Sequence, residues 1–96
     1  MERWDFERVE ADNTIKTFAH LTIPTWATHV YLQAGTANIR YRLDSENPTA
    51  TNGMRLVAGN PPELFEIKAI LNGFTFIREG GTNAGLLVHY CASRTI

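Results

Sequence analysis

Three histidines, one cysteine and a short acidic loop are the side chains of this 96-residue chain best equipped to do chemistry. His20, His29 and His89 fall on three separate expected strands, and no His-x-His or His-x-x-x-His spacing joins any two of them. A metal centre needs ligands at workable spacing and partners that orient them, so the three are read as strand histidines, satisfied locally or open to solvent. Asp44, Glu46 and Asn47 bring oxygen ligands close together, as calcium loops do, but the EF-hand spacing and its terminal bidentate carboxylate are missing. Turn capping is the better reading. Cys91 follows Tyr90 and lies two residues after His89. Adjacent strand residues face opposite sides, and a Cys–His pair without a third orienting group makes a poor nucleophile. Cys91 is read as structural. No nucleophile elbow, phosphate loop, dinucleotide fingerprint or His-Glu-x-x-His motif occurs. No catalytic residue, metal or cofactor is therefore assigned, and the chain is read as a protein that works by contact and not as an enzyme.

Contact needs a surface, and two groups of residues are candidates. Trp4, Phe6 and Trp26 are large aromatics near a charged N-terminus, outside the most regular strands. They either cover an open end of the fold or anchor it on a neighbour, since aromatics dominate interface hot spots. Arg40, Arg42 and Arg55 are either a solvated face or the polar rim of an interface.

The elements that must position these residues are strands. Asn38 to Leu43 alternates strictly, with Ile39, Tyr41 and Leu43 on one face and Arg40 and Arg42 on the other. Thr28 to Gln33 carries Val30 and Leu32 on one face, and Ala34-Gly35-Thr36 is expected to turn it into the next strand as a hairpin. The polar run from Asp44 to Gly53 reads as a built loop, with Asp44 capping, Pro48 presetting φ and Gly53 allowing positive φ. Met54 to Ala58 is a short strand stopped by Pro61-Pro62. Leu64 to Ile70 and Phe74 to Arg78 are expected as strands joined at Asn72-Gly73, a hairpin signal. Leu86 to Cys91 is apolar on both faces, which suits a central strand or one covered by a neighbour. Thr14 to Leu21 is a less regular strand, and residues 1–13 form a short amphipathic arm ahead of one sandwich domain at 14–96; deleting residues 2–12 is expected to weaken assembly and leave the sandwich folded. Seven or eight strands with frequent turns indicate an all-β fold, a small antiparallel sandwich of jelly-roll or immunoglobulin type with an N-terminal extended arm.

Composition narrows the partners. At 96 residues there is one domain, with 44% apolar and 20% charged residues, in the globular range. The net charge is −1 and the nine Lys and Arg are dispersed, which leaves no basic footprint for nucleic acid. A single cysteine excludes an intrachain disulfide. The first thirteen residues are too charged for a signal peptide, and no apolar run reaches the length of a membrane span. A soluble protein made in a cytoplasm, with no membrane partner, is expected.

One stretch carries a family likeness. Residues 38–53 read Asn-Ile-Arg-Tyr-Arg-Leu-Asp, then Pro48-Thr49-Ala50 and Gly53, before a short strand ending Ala58-Gly59. With Pro61-Pro62, Phe76 to Glu79 and Leu86 to Tyr90, the pattern resembles the small β-sandwich virion proteins of tailed bacteriophages, which include capsid decoration (cement) proteins. The likeness spans about residues 28 to 91. A similar strand, Asp turn and Pro-Thr occurs in β-sandwich modules of glycosidases, although Glu46 and Asn47 stand here in place of a glycine-containing turn. The phage resemblance implies a virion protein on the capsid surface, made in the host cytoplasm, that bridges major capsid proteins and associates with itself, a trimer being one option. A connector or tail component, or a carbohydrate-binding module whose exposed aromatics would be Tyr31, Trp26 and Trp4, is the alternative. Neither likeness carries a binding residue over.

Overall fold

The computed structural model describes residues 3–49 and 51–92. Eight strands form in chain order: β1 (Arg3–Ala11), β2 (Lys16–Thr17), β3 (His29–Ala34), β4 (Ile39–Arg42), β5 (Met54–Leu56), β6 (Glu63–Glu66), β7 (Thr75–Arg78) and β8 (Ala84–Ala92). Among the described residues, a single 3-10 turn, Phe18–His20, follows β2, and one short helix, α1 (Ile67–Gly73), follows β6. The strands make two antiparallel sheets of four, in the orders β1-β8-β3-β6 and β2-β7-β4-β5. The ladders pair first with last strand, second with seventh, third with sixth and fourth with fifth. That nested pairing is the order of a jelly roll. The expected all-β sandwich thus forms, and the pairing selects the jelly roll over the immunoglobulin order.

The nested order explains where local sequence signals mislead. Consecutive strands change sheet at every connection except β4–β5, so β3 and β4 do not form the expected hairpin. Val30 and Leu32 on β3 and Ile39 and Tyr41 on β4 are all buried, facing each other across the core and not flanking each other in one sheet. The polar run from Asp44 to Gly53 instead closes the β4–β5 hairpin, where Asp44 Oδ1 accepts from the Glu46 N–H at 3.3 Å, the capping role expected of it.

Leu64 to Ile70 is likewise not one strand. It pairs with β3 only to Glu66, then coils into α1, because Ile67 and Ile70 lie three apart on one helical face and both are buried. Asn72-Gly73 ends that helix instead of turning a hairpin. The close approach there is severe: a Cβ on Gly73 would sit 2.2 Å from Ser45 Oγ and 2.5 Å from Ser45 N. The irregular strand expected at 14–21 shortens to β2 and the 3-10 turn, capped by Thr17 and His20, whose Nδ1 accepts from the Thr17 N–H at 3.1 Å.

The N-terminal segment also differs from expectation. Over its described part it is extended, but it pairs with β8 along its whole length, from Arg3 opposite Ala92 to Ala11 opposite Ala84. Its partner is the chain's own sandwich, and β8 becomes central, between β1 and β3. The core lies between the sheets: Val30, Leu32, Leu86, Val88 and Tyr90 on one side meet Ile39, Tyr41, Leu56, Phe74 and Phe76 on the other, and Ile67 and Ile70 close one end. The rings of Tyr41, Phe74 and Phe76 pack in series, with centroids 5.9 and 5.3 Å apart.

Candidate functional site

Strand alternation decides which side chains reach the outside of the β1-β8-β3-β6 sheet. On β1 the outward residues are Trp4, Phe6 and Arg8, opposite Cys91, His89 and Leu87 on β8. On β3 the partners are His29, Tyr31 and Gln33. On β6 Glu66 stands opposite His29 and Leu64 opposite Tyr31, with Pro62 just before the strand. These registers assemble three rows across the sheet. The first runs Trp4, Cys91, His29, Glu66; the second Phe6, His89, Tyr31, Leu64; the third Arg8, Leu87, Gln33, Pro62.

The middle row is apolar or aromatic on all four strands, and the patch stays open. Trp4 is 48% exposed, Phe6 57% and Leu64 55%, with His89 and Pro62 exposed as well. The rings touch one another: Trp4 and Tyr31 are near-parallel at 16° with centroids 6.3 Å apart. His89 lies 4.8 Å from Trp4 and meets Phe6 edge-on at 6.0 Å. Trp4, Phe6, Tyr31, Leu87, His89 and Pro62, with Gln33, line a shallow groove of about 370 Å³. An aromatic patch this continuous on a sheet face is the kind of surface that marks a binding site.

The ends of the patch carry charge. The Arg8 guanidinium lies flat over Gly85, where a Cβ would come within 2.6 Å of its Nε. Glu66 ends β6 immediately before α1 and makes no side-chain cap bond to it. The β1 edge beside the patch is partly closed by side chains. Asp5 Oδ1 accepts from the Phe6 N–H at 2.9 Å, and Lys16 Nζ donates to the Glu10 carbonyl at 2.6 Å. Charges and capped groups on an edge strand discourage another strand from adding to it.

The remaining candidates lie elsewhere. Trp26 is half-buried in the loop before β3, packed on the core with the Arg3 guanidinium 4.6 Å above its ring. It packs against the core and is not among the residues lining the Trp4–Phe6 groove. Arg40, Arg42 and Arg55 point out from the other sheet. Each already has an acidic partner. Glu79 Oε2 sits 2.6 Å from Arg40 Nε and 2.7 Å from Arg55 Nε, and Asp44 takes both Arg42 Nε and Arg42 Nη2. The arginine and Asn38 donors hold the Glu79 carboxyl down at about 2. This face is a set of closed ion pairs around the β4–β5 hairpin.

Sequence reasoning singled out Trp4 and Phe6, and Tyr31 with Trp4 as candidate sugar-facing aromatics, but missed Leu64, Leu87 and His89 as their companions. Alternation gives each strand's faces, whereas the rows depend on registers between residues up to eighty-seven apart. Among the described residues, no three His, Cys, Asp or Glu side chains gather into a metal-binding group. His20 sits in the 3-10 turn, away from His29 and His89 on adjacent strands of the sheet. Among those residues, too, no helix is long and apolar enough to cross a membrane. No family model, curated protein or solved structure matches the chain.

Proposed function

We propose that this chain is a non-catalytic structural protein of a tailed-bacteriophage particle, a capsid decoration (cement) protein that reinforces the head by joining neighbouring subunits. The observation that carries the contact reading is the open aromatic face of Trp4, Phe6, Tyr31, Leu64 and His89 on the β1-β8-β3-β6 sheet. A face of this kind loses little by being desolvated and gains hydrophobic stabilisation when covered. The particle assignment is supported by the likeness of residues 28–91 to phage β-sandwich virion proteins and, as fold-level analogy, by the use of jelly rolls in viral shells. Many copies on one lattice would give avidity to individually modest contacts.

Co-sedimentation with empty phage heads tests this. Wild-type chain should pellet with heads, and W4S/F6S should stay in the supernatant while keeping its fold. Failure of the wild type to associate with heads sinks the reading.

A carbohydrate-binding module is the second reading, favoured by the near-parallel Trp4 and Tyr31 rings with Gln33 at the groove edge. Binding on a glycan array, lost in W4S and Y31S, with no affinity for heads, would establish it in place of the first.

A further inference from the structure

We infer that the open face of the β1-β8-β3-β6 sheet is covered by a second copy of this chain, packed face to face across a two-fold axis with the two sheets crossed. This rests on the reading of that face as a contact surface and names its occupant as the chain itself: the pair, bivalent for the head through its other surfaces, is the unit that joins subunits, and W4S/F6S releases heads by losing the pair.

The argument comes from the shape and the corners of the patch. Strands lie about 4.8 Å apart and same-face residues about 6.8 Å apart along a strand. Four strands by three residues therefore make a patch of about 14 Å by 14 Å, nearly square. Its corners are Trp4 and Arg8 on β1, and Glu66 and Pro62 at β6. Arg8 and Glu66 occupy one diagonal; Trp4 and Pro62 occupy the other.

A square patch can be laid on its own copy by a two-fold axis along a diagonal in the interface plane. An axis along the Trp4–Pro62 diagonal turns the strands of the two copies roughly perpendicular, an established mode of sheet packing. It also exchanges the other two corners. Arg8 of each copy then meets Glu66 of the other, twice, around a centre of His89, Tyr31 and the aromatic row. A two-fold interface must be self-complementary in this way.

Two further observations favour a copy over another occupant. Arg8 and Glu66 make no side-chain hydrogen bond or ion pair among the described residues, although the other sheet pairs Arg40, Arg42 and Arg55 with acids. They are the opposite charges this geometry would use. The partial capping of the β1 edge by Asp5 and Lys16 disfavours the competing route to a dimer, in which two β1 strands pair edge to edge. Trp4, Phe6 and Leu64, each about half exposed, are apolar surface that a second copy would remove from water.

Light scattering and sedimentation equilibrium of the full chain, from about 1 μM to about 1 mM, test the inference with charge swaps. The expected result is a concentration-dependent dimer. R8E and E66R should each raise its Kd about tenfold or more, and the double variant R8E/E66R should return it to within about threefold of wild type, because the swapped charges face each other again. Circular dichroism and thermal midpoints establish that each variant is folded. A chain that stays monomeric throughout, a dimer indifferent to either swap, or a double variant no better than the singles overturns the inference. Co-sedimentation with heads is a separate readout. Binding to heads by a strictly monomeric chain would overturn the dimer and leave the proposed function standing. A charge-dependent dimer that ignores heads would uphold the dimer and overturn the particle reading.

Discussion

Arg40 and Arg55 are direct cross-strand partners on β4 and β5, two cations side by side on one sheet face. Like charges in that relationship are destabilising on their own. Glu79, just beyond β7, removes the conflict by placing one carboxylate oxygen between both guanidiniums, while its other oxygen accepts from Asn38 and Arg55. The loop after β7 is thereby tied to the β4–β5 hairpin.

Glu79→Gln should therefore cost about 1–2 kcal/mol, the range for losing charge-assisted hydrogen bonds at a partly exposed site. It should also change the acid limb of the stability curve. The folded Glu79 carboxyl is held at about 2, below the usual carboxylate range near 4.5. Its contribution is complete above that usual value and is lost as pH falls toward 2. Urea unfolding between neutral pH and pH 2 should show a shallower acid loss in the variant. An identical slope in both proteins would mean that Glu79 does not act this way.

The alkaline limb has its own groups. Tyr41 donates to Glu63 at 3.3 Å, and burial together with that carboxylate pushes its phenol up to about 12. Tyr90 donates to Glu7 Oε2 at 2.5 Å and is raised still further, by burial first and then by Glu7. A raised phenol ionises first in the unfolded chain, so the stability it contributes is intact below pH 10 and declines as pH climbs above that. Phenolate absorbance from these two rings should appear only as the chain unfolds. In Tyr41→Phe the loss of stability between pH 10 and 12 should be smaller than in wild type; an unchanged loss would count against this assignment.

Gly73 allows α1 to end against Ser45. Because a Cβ there would meet the Ser45 backbone as well as its Oγ, the collision cannot be relieved by a side-chain rotation. Gly73→Ala should destabilise by about 1–3 kcal/mol, as overpacking does. Gly80→Ala, where a Cβ would have nothing within 4 Å, should stay within about 0.5 kcal/mol of wild type. Thermal or denaturant midpoints for the pair provide the comparison, and equal effects would remove the steric explanation.

Gly73 also illustrates what was legible in the sequence. Asn72-Gly73 between apolar runs signals a hairpin by local rules, and Leu64 to Ile70 alternates as a strand would. The burial of Ile67 and Ile70 on one helical face is decided by packing into the core cluster, which local pattern does not encode. By contrast, the inward sets Val30 and Leu32, Ile39 and Tyr41, and Leu86, Val88 and Tyr90 follow directly from alternation, and all are buried. The central place of β8 is a matter of pairing with β1 and β3, since apolar faces call for cover above and below a strand and do not fix its neighbours within the sheet. The site was half legible. Trp4 and Phe6 stand out as aromatics on an amphipathic strand, but their separation from Trp26 follows from the pairing of β1 with β8. The union with Tyr31 and Leu64 needed two further registers. Arg40, Arg42 and Arg55 read alike in sequence, and only the fold shows that Glu79 and Asp44 have closed them off.

The N-terminal strand serves the fold and the surface at once, and two variants separate these roles. Its inner edge completes the ladder of β8, and Ala11 and Val9 pack toward the core. Its outer side chains, Trp4 and Phe6, are about half exposed and have no core to support. Deleting residues 3–11 would leave β8 with one side of its ladder unpaired and would expose Leu86 and Val88 at the core margin, so the truncated chain should fail to fold cooperatively. W4S/F6S should cost about 2–3 kcal/mol and leave the chain folded, because the residues lose ring contacts with Tyr31 and His89 and the roughly half of each ring that is covered, but no core position. Amide exchange and near-ultraviolet circular dichroism distinguish the two. A folded truncation would return residues 3–11 to the status of a dispensable arm, and an unfolded W4S/F6S would show that the aromatic face is needed for folding and is not spare surface available to a partner.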